Sequence, residues 1–234
     1  MNQLGLFAKF WQPGRVKTRL AARAGDEYAS RIYRIFLDHL IGHLSKSPPE
    51  SCDRLSVVFS PPEKREEFAR TIGPAWTLVQ QSEGDLGNRM SRFFDQALAD
   101  NENAKAVIIG SDTPHLSSQR IEHAFTELDE CDVVFGPSSD GGYYLIGMKQ
   151  VTAAVFNGID WSTPAVLEQS LAALEASGRT YGLLPEMTDV DEMNDLQSLI
   201  SLLERETEIP EGFKLLESIQ RLNRELIPGG IGSE

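Results

Sequence analysis

Short apolar segments alternate with helical patterns along this chain, and that alternation constrains its fold more than any other feature of the sequence. Several segments are apolar without polar alternation, which indicates strands buried on both faces and therefore a mostly parallel sheet. Repeated strand–helix alternation predicts right-handed crossovers and an α/β fold built as a three-layer α/β/α sandwich. The predicted strands are Leu4–Ala8, Leu55–Ser60, Trp76–Gln80, Ala106–Ile109 and Val133–Phe135.

Between the strands, apolar residues recur at the three- and four-residue spacing of amphipathic helices. Asp26 is placed to cap the first helix, which ends at Ser47-Pro48-Pro49, and Pro164 is expected at the first position of a later one. After Phe135, a turn and further strand segments predict a mixed extension of the sheet. The remaining predicted elements are helices at 62–71, 86–99, 117–128, 191–204 and 210–224 and a strand at Tyr181–Leu184.

Charge and cysteine content exclude several classes of protein. The 234 residues carry a formal net charge of -13, which argues against nucleic-acid or anionic-lipid partners, because those require extended basic surfaces. Cys52 and Cys131 are expected to be buried, unpaired thiols in a reducing compartment. With no signal-peptide pattern and no apolar run long enough to span a bilayer, we expect a soluble, cytoplasmic protein. One domain is expected over residues 1–227, followed by a flexible tail at 228–234.

A basic segment follows the first predicted strand. The first 25 residues contain no acid and five cations, Lys9, Arg15, Lys17, Arg19 and Arg23. Around the Pro13-Gly14 turn, glycine allows a close approach of the backbone, and the cations can supply charge-assisted hydrogen bonds to phosphate oxygens. A solvated surface loop is the alternative. Phosphate binding is favoured because ligands of open α/β sheets bind beyond the carboxyl ends of the strands.

Asp112, Asp189 and Asp191 are candidate metal ligands. Asp112 directly follows a predicted buried strand in Gly110-Ser111-Asp112-Thr113-Pro114, and the side chains of Asp189 and Asp191 point the same way if the backbone is extended. Mg²⁺ and Mn²⁺ prefer hard oxygen ligands and commonly use one or two carboxylates together with substrate phosphates. A turn or helix-capping role is the alternative for Asp112, and a capping role for Asp191.

The segment that follows the third strand, Gln80–Arg89, is a candidate nucleoside contact. Glycines at a strand-to-helix turn let a base or ribose lie close to the backbone, and the Gln80 amide can hydrogen-bond to a base edge. An ordinary turn into a helix would contain much the same residues. The segment is therefore informative only together with the other motifs.

Two later segments are candidates for binding an acceptor. Asp140-Gly141-Gly142-Tyr143-Tyr144 combines a carboxylate, two flexible positions and two aromatic rings, which suits sugar or acceptor recognition with Asp140 as a base. Its alternative is a β-turn that enters a strand, with packed tyrosines. Trp161-Ser162-Thr163 could provide an apolar platform for an acceptor, or a helix cap with the tryptophan in the core.

Taken together, these segments resemble the bacterial family DUF2064, arsenosugar-biosynthesis-type or radical-SAM/selenodomain-associated transferases with a GT-A, nucleotide-diphospho-sugar transferase-like fold. The resemblance runs through almost the whole chain. More distantly, the chain is similar to guanylyltransferases of phospholactate and to cytidylyl- or guanylyltransferases of molybdenum cofactor. The segments that carry the resemblance are Phe7-Ala8-Lys9, Pro13–Leu20, Gly84–Gly87, Gly110–Pro114, Gly136-Pro137, Asp140–Tyr144, Trp161–Thr163 and Asp189–Asp191 with Asp195-Leu196.

The resemblance implies roles for these residues. The basic loop would bind nucleotide phosphates, the Gly84–Gly87 turn would contact the nucleoside, and Asp112 would coordinate Mg²⁺ or Mn²⁺ with Asp189 and Asp191. Two departures from the family pattern are Phe10-Trp11-Gln12 and Asn88. The implied nucleotide-binding residues are Ala8, Lys9, Gly14, Arg15, Lys17, Arg19, Gln80, Gly84, Leu86, Gly87 and Ser111, and the implied acceptor-binding residues are Gly141, Gly142, Tyr143, Trp161 and Ser162.

The leading prediction is a metal-dependent glycosyltransferase that moves a sugar from a nucleotide diphosphate sugar to a small-molecule acceptor, with Asp112, Asp140 and Lys17 as catalytic residues. The alternative is a guanylyl- or cytidylyl-type nucleotidyltransferase that uses a nucleoside triphosphate and a phosphorylated small molecule. A third possibility is a catalytically inactive nucleotide-sensing protein. Acceptor, nucleobase and oligomeric state are left open.

Overall fold

A seven-stranded mixed sheet forms the centre of the computed structural model, which describes residues 1–99, 101–205 and 210–226. The strand order is β3-β2-β1-β4-β6-β5-β7. Neighbouring strands are parallel except at β6, which is antiparallel to both β4 and β5. This confirms the predicted mostly parallel sheet with a mixed extension. The strands are β1 (Gln3–Lys9), β2 (Arg54–Ser60), β3 (Trp76–Gln80), β4 (Ala106–Ile109), β5 (Val133–Pro137), β6 (Tyr143–Met148) and β7 (Tyr181–Leu183).

A short helix at Thr18–Ala24 was not predicted; the other α-helices agree with the sequence pattern in position but differ at several ends. The predicted helix at 62–71 is a 3-10 turn, Pro62–Lys64, followed by a single short α-helix. Pro164 precedes its helix instead of starting it. The α-helices are α1 (Thr18–Ala24), α2 (Asp26–Lys46), α3 (Arg65–Ala69), α4 (Leu86–Leu98), α5 (Ser118–Glu130), α6 (Val166–Ala176), α7 (Met193–Arg205) and α8 (Pro210–Leu226).

Helix starts show which capping predictions hold. The cap residue of α2 is Gly25, so the prediction that Asp26 caps this helix is wrong, and Asp26 is instead its first residue. The side chain of Asp85 caps α4 and that of Ser117 caps α5, each by accepting a hydrogen bond from a backbone N–H three residues later. Capping fixes where these two helices begin relative to the strand ends before them.

Helices cover both faces of the sheet, which confirms the three-layer arrangement. On one face, the helical residues packed against the strands are Leu37, Leu40 and Leu44 of α2, Phe68 of α3, and Ile121, Phe125 and Leu128 of α5. On the other face they are Met90, Phe93 and Phe94 of α4 and Leu174 of α6. Burial of both faces explains why the strands are continuously apolar.

The last two helices pack outside the sandwich, against α1 and α2. Apolar residues of α7 and α8 form a third cluster with residues that include Leu20, Ile32 and Phe36. None of the helices in the described ranges is both long and apolar enough to cross a membrane. Cys52 and Cys131 are free thiols, as expected, but only Cys131 is buried, whereas Cys52 is half-buried. The predicted tail at 228–234 lies outside the described residues.

Candidate functional site

The Lys17 ammonium, at the end of the basic loop, lies between two carboxylates. Its Nζ forms one ion pair with Asp112 and another with Asp191, 2.9 Å from the Oδ1 of Asp191. The Lys17 side chain is only 2% exposed. Burial by itself would lower the pKa of Lys17, but the charges of Asp112 and Asp191 outweigh it and raise the pKa, so the ammonium stays charged. The loop after β1, the loop after β4 and the segment before α7 therefore meet at one point.

The backbone of Lys17 explains how the loop separates its cations. Lys17 has φ 49° and ψ 46°, a left-handed conformation that costs a residue with a side chain about 1 kcal/mol or more, and α1 begins directly after it. The Lys17 side chain is buried, whereas Lys9, Arg15 and Arg19 are exposed. Gly14, also at positive φ, makes the turn that precedes Arg15. The exposed cations can therefore meet an incoming anion while Lys17 organises the carboxylates.

Tyr33 joins the ends of two strands under the site, and sequence analysis missed it. Its hydroxyl accepts a hydrogen bond from the Lys9 N–H at 2.8 Å and forms another with the Ser111 hydroxyl at 2.8 Å. Burial, with the charge of Asp112, raises the pKa of Tyr33 to about 12. Ser111, a predicted nucleotide contact, is buried and directed at Tyr33. The sequence contained one indication of this role: Tyr33 places a hydroxyl group on the apolar face of a helix, between Ile32 and Phe36.

Asp189 is a buried carboxylate that holds the segment before α7 in place. Its Oδ1 accepts a hydrogen bond from the Thr113 hydroxyl, and its Oδ2 accepts one from the Ser138 hydroxyl at 3.0 Å. Burial, together with the charges of Asp112 and Asp140, raises the pKa of Asp189 to about 6. Asp189 thus connects the loop after β4 with the end of β5.

Asp191 was considered as a possible helix cap, and the structure places it differently. The Asp195 Oδ2 accepts hydrogen bonds from the N–H groups of Asp191 and Glu192, at 3.1 and 2.8 Å. Asp195, in the first turn of α7, therefore satisfies the N–H groups of the two residues that precede the helix. The Asp191 carboxylate is left to face Lys17.

A divalent metal fits Asp112 and Asp191 better than it fits Asp189. Their side chains are 43% and 38% exposed and already converge on a cation, the Lys17 ammonium. Two such carboxylates suit Mg²⁺ or Mn²⁺ when substrate phosphates complete the ligand set. Asp189 accepts hydrogen bonds on both oxygens, and its metal role stays a prediction. Within the described ranges, no group of three or more His, Cys, Asp or Glu residues is arranged to hold a metal.

The predicted nucleoside turn is held by Gln81 and Arg89, two residues to which sequence analysis gave no role. Gln81 Nε2 donates to the Val58 carbonyl at 2.8 Å, and Arg89 Nε donates to the Gly84 carbonyl at 3.0 Å. Arg89 Nη1 also donates to Gln81 Oε1 at 3.3 Å. Gln80, the predicted base contact, is exposed next to them. The turn is therefore tied to the end of β2.

Gly87 and Trp161 touch, although they were assigned to different substrates. A Cβ added to Gly87 would lie 2.6 Å from Cζ2 of Trp161, so only glycine allows the indole to lie there. Leu86, beside Gly87, is 45% exposed, an unusual state for a large apolar side chain at the start of a helix. The nucleoside turn and the Trp161 segment therefore form one continuous wall.

The Asp140–Gly142 turn packs against the segment that follows Trp161. Gly141 has φ 87°, and a Cβ there would lie 2.1 Å from the Pro164 carbonyl oxygen. The Gly142 N–H donates to Asp140 Oδ1 at 3.0 Å, and the Asp140 side chain is exposed. Ser162, two residues before Pro164, is exposed and has φ 66°.

Tyr143 and Tyr144 follow this turn. Both rings pack against neighbouring residues, which is the alternative that the sequence analysis gave for this segment. The Tyr143 ring lies 5.1 Å from the Phe135 ring, and its hydroxyl lies 4.0 Å from the sulfur of Met90. Burial raises the pKa of Tyr143. The Tyr144 hydroxyl donates to the Pro185 carbonyl at 3.1 Å. The acceptor role of Tyr143 stays a prediction, and its hydroxyl faces the core.

An open pocket of about 200 Å³ brings several of the predicted motifs together. Its lining includes Arg19 of the basic segment, at the start of α1, Asp140 of the glycine turn, and both Asp189 and Asp191. These residues are far apart in the sequence. The pocket therefore gives one location to three motifs that sequence analysis treated separately.

Comparison of sequences gives one family match. A family described as an uncharacterized protein conserved in bacteria (DUF2064) matches residues 44–163, just over half of the chain. No curated protein matches the chain significantly.

Comparison of structures extends over nearly the whole chain. A provisionally assigned nucleotide-diphospho-sugar transferase from Desulfovibrio desulfuricans G20 is 29% identical, with a TM-score of 0.84 over 96% of this chain and 97% of that one. An inositol-1-phosphate CTP transferase from T. maritima is 16% identical, with a TM-score of 0.53 over 97% and 98%. A 4-diphosphocytidyl-2C-methyl-D-erythritol synthase from Anaerococcus prevotii DSM 20548 is 9% identical, with a TM-score of 0.57 over 88% and 96%. The predicted nucleotide-diphospho-sugar transferase-like fold is confirmed.

Proposed function

Since the chain belongs to the bacterial protein family DUF2064, we propose that it is a metal-dependent glycosyltransferase that moves a sugar from a nucleotide diphosphate sugar to a small-molecule acceptor. The observation that carries the proposal is the meeting of Lys17, Asp112 and Asp191 at the strand ends. Ligands of open α/β sheets bind at this edge. Further support comes from the D. desulfuricans protein, which is similar along nearly its full length and is assigned to the nucleotide-diphospho-sugar transferases.

The exposed cations of the basic loop would bind the donor's diphosphate. As the bond between the sugar and the diphosphate breaks, negative charge accumulates on the departing phosphate oxygen. Cations that are already in place stabilise this charge without reorganisation, and that is where electrostatic catalysis contributes most. Arg15 on the loop and Arg19 in the first turn of α1 are exposed and would supply this charge, while Lys17 would orient the two carboxylates.

Asp112 and Asp191 would hold Mg²⁺ or Mn²⁺, with Asp189 supporting them from behind. Such a metal, when bound, neutralises charge on the diphosphate. The support from Asp189 runs through Thr113, the residue after Asp112, and through the chain that leads to Asp191. The Val190 N–H also donates to the Asp112 carbonyl at 2.9 Å, which keeps the two ligand-bearing segments side by side.

Asp140 would act as the base for an inverting transfer. The acceptor's hydroxyl oxygen forms a new bond to the anomeric carbon while the bond from that carbon to the diphosphate oxygen breaks, and the nucleoside diphosphate leaves. The hydroxyl proton passes to Asp140, whose Oδ1 already accepts the Gly142 N–H and whose side chain is exposed in the pocket. The wall formed by Gly87 and Trp161 would separate the nucleoside from the acceptor.

Thermal-shift measurements on the full chain test this proposal, using nucleoside diphosphates, triphosphates and nucleotide sugars with and without Mn²⁺. A ligand at a hundred times its dissociation constant adds about 2.7 kcal/mol of stability. We expect metal-dependent stabilisation by a diphosphate and by its sugar conjugate. Asp112→Asn should abolish the metal dependence, whereas Asp129→Asn, at an exposed carboxylate paired with Lys105, should retain it. No response to any nucleotide would overturn the proposal.

Nucleotidyl transfer is the second candidate, because the exposed cations of the loop suit a triphosphate as well as a diphosphate. The T. maritima protein, named as a CTP transferase, shares the fold. Selective stabilisation by one nucleoside triphosphate, with release of pyrophosphate when a phosphorylated acceptor is added, would favour this function over glycosyl transfer.

A further inference from the structure

A second open pocket, of about 300 Å³, lies between α2 and α8 and shares no residue with the candidate site. At one end the two helices are fastened by polar contacts: the Tyr28 hydroxyl donates to Asn223 Oδ1 at 2.6 Å, and Arg31 makes two hydrogen bonds to Glu225 at 2.5 and 2.7 Å. The pocket follows the remaining length of the pair, along residues 35–46 of α2 and 214–221 of α8. We call it the α2–α8 groove.

The α2–α8 groove is basic, although the chain as a whole has a formal net charge of -13. Lys46, Lys214 and Arg221 line it. The acid in the lining, Asp38, lies 2.7 Å from the Nε of Arg34, so its charge is balanced by a cation of its own helix. Three lining cations beside one balanced acid favour an anion in the groove.

Two stacked histidine rings form part of the same lining. The rings of His39 and His43 are stacked one helical turn apart, with centroids 6.1 Å apart and planes inclined by 10°. Both residues line the groove.

Gly42 also lines the groove and leaves open space there. A Cβ added to Gly42 would meet no atom within 4 Å, so packing within the chain does not require glycine there. Glycine in the interior of a helix costs about 1 kcal/mol relative to alanine. The missing side chain widens the groove, whose lining includes the half-buried apolar side chain of Ile35.

We propose that the α2–α8 groove binds a phosphorylated small organic molecule. The phosphate would lie on Lys46, Lys214 and Arg221, and the organic part would lie over Gly42, against Ile35. A volume of about 300 Å³ is at the lower end of the range for small-molecule pockets, and it suits a ligand of the size of a sugar phosphate or an aryl phosphate. This site is separate from the one proposed for the nucleotide.

Calorimetric titration of the full chain, without nucleotide or divalent metal, tests the proposal. The probes are glucose 6-phosphate and phenyl phosphate, with inorganic phosphate as the reference anion. We expect at least one organic phosphate to bind at least tenfold more tightly than inorganic phosphate. Gly42→Leu, which fills the floor with a good helix former, and the double variant Lys214→Glu with Arg221→Glu should each weaken that binding at least tenfold.

Two controls locate the binding and keep the test independent of folding. Gly42→Leu should melt at or above the wild-type temperature, which separates a blocked groove from a damaged fold. Arg70→Glu changes an exposed cation that directly follows α3, and this variant should bind the organic phosphate like wild type. The proposal is overturned if neither organic phosphate binds, if inorganic phosphate binds equally well, or if binding survives the groove variants and is lost in Arg19→Glu.

Discussion

The ammonium of Lys17 lies 2.9 Å from the Oδ1 of Asp191, which stands 174 positions later in the chain. Asp112, from the middle of the chain, shares the same ammonium. The candidate site is thus assembled by one buried cation that three distant segments have in common. Removal of the Lys17 ammonium should therefore have two effects at once: it leaves two carboxylates without their cation, and it loosens the contact between the three segments.

Two substitutions of Lys17 should separate its charge from its backbone. Lys17→Ala and Lys17→Gly both remove the ammonium, and each should weaken binding of a nucleoside diphosphate with Mn²⁺ at least tenfold. Glycine should leave the protein about 1 kcal/mol more stable than alanine does, because φ at this position is 49°. Urea unfolding of both variants measures the difference. Equal stabilities would contradict the left-handed conformation.

Tyr33→Phe should destabilise the protein by about 1–2 kcal/mol, because the Lys9 N–H and the Ser111 hydroxyl lose a buried partner. It should also weaken nucleotide binding, since both residues lie at strand ends that border the site. Tyr28→Phe is the matched control on the same helix: it loses a hydrogen bond to Asn223 and should change stability alone. Urea unfolding measures the stability of both variants, and nucleotide titration measures their affinity. Equal nucleotide affinities of the two variants would contradict a role of Tyr33 in nucleotide binding.

Much of the fold could be predicted because burial leaves a direct mark on the sequence. β4 is four apolar residues without interruption, and it is buried on both faces. Helix α1 was missed for a physical reason. It begins at a residue in a left-handed conformation, inside a segment whose cations draw attention to phosphate binding.

The candidate site was predictable in its motifs and less so in its contacts. Asp112, Lys17 and Asp191 could be singled out from charge and position, but their ion pairs depend on segments up to 174 residues apart. Tyr33 could not be assigned, because its hydroxyl reaches Ser111, 78 positions later. Such contacts follow from the packing of complete elements, which a local pattern does not contain.

Acidification should destabilise the protein through His115. Burial, with the charge of Arg120, lowers the pKa of His115 to about 4, against about 6.5 in an unfolded chain. Between these values the unfolded chain takes up a proton that the folded protein does not. The free energy of unfolding therefore falls as the pH is lowered from 6.5 to 4, by up to about 3 kcal/mol.

The measurement must separate His115 from Asp189, whose raised pKa of about 6 acts with the opposite sign. A carboxyl with a raised pKa takes up its proton first in the folded state, so it adds stability as the pH falls below 6. Urea unfolding of wild type and His115→Asn at pH 7.5 and 4.5 isolates the histidine. The variant should lose less stability on acidification than wild type, and parallel losses would contradict the shifted pKa of His115.

Gly87→Ala should destabilise the protein, although alanine is normally favoured over glycine in a helix by about 1 kcal/mol. The new Cβ would lie 2.6 Å from Cζ2 of Trp161, and overpacking of this kind costs about 1–3 kcal/mol. Gly42→Ala is the matched control in α2, where nothing lies within 4 Å of the added Cβ, and it should stabilise the protein.

A double-mutant cycle connects this steric contact to the wall between the two proposed substrates. Trp161→Ala removes the ring that the new Cβ of Gly87→Ala would strike, so the double variant should be more stable than the sum of the single effects predicts. Urea unfolding of all four proteins gives the coupling. Nucleotide titration of Gly87→Ala should show weaker binding. The new Cβ pushes against the Trp161 indole, and this contact is expected to shift the first turn of α4, which carries Leu86. Additive stabilities would show that Gly87 and Trp161 do not touch in solution, and the wall would then have to be abandoned as a separator of nucleoside and acceptor.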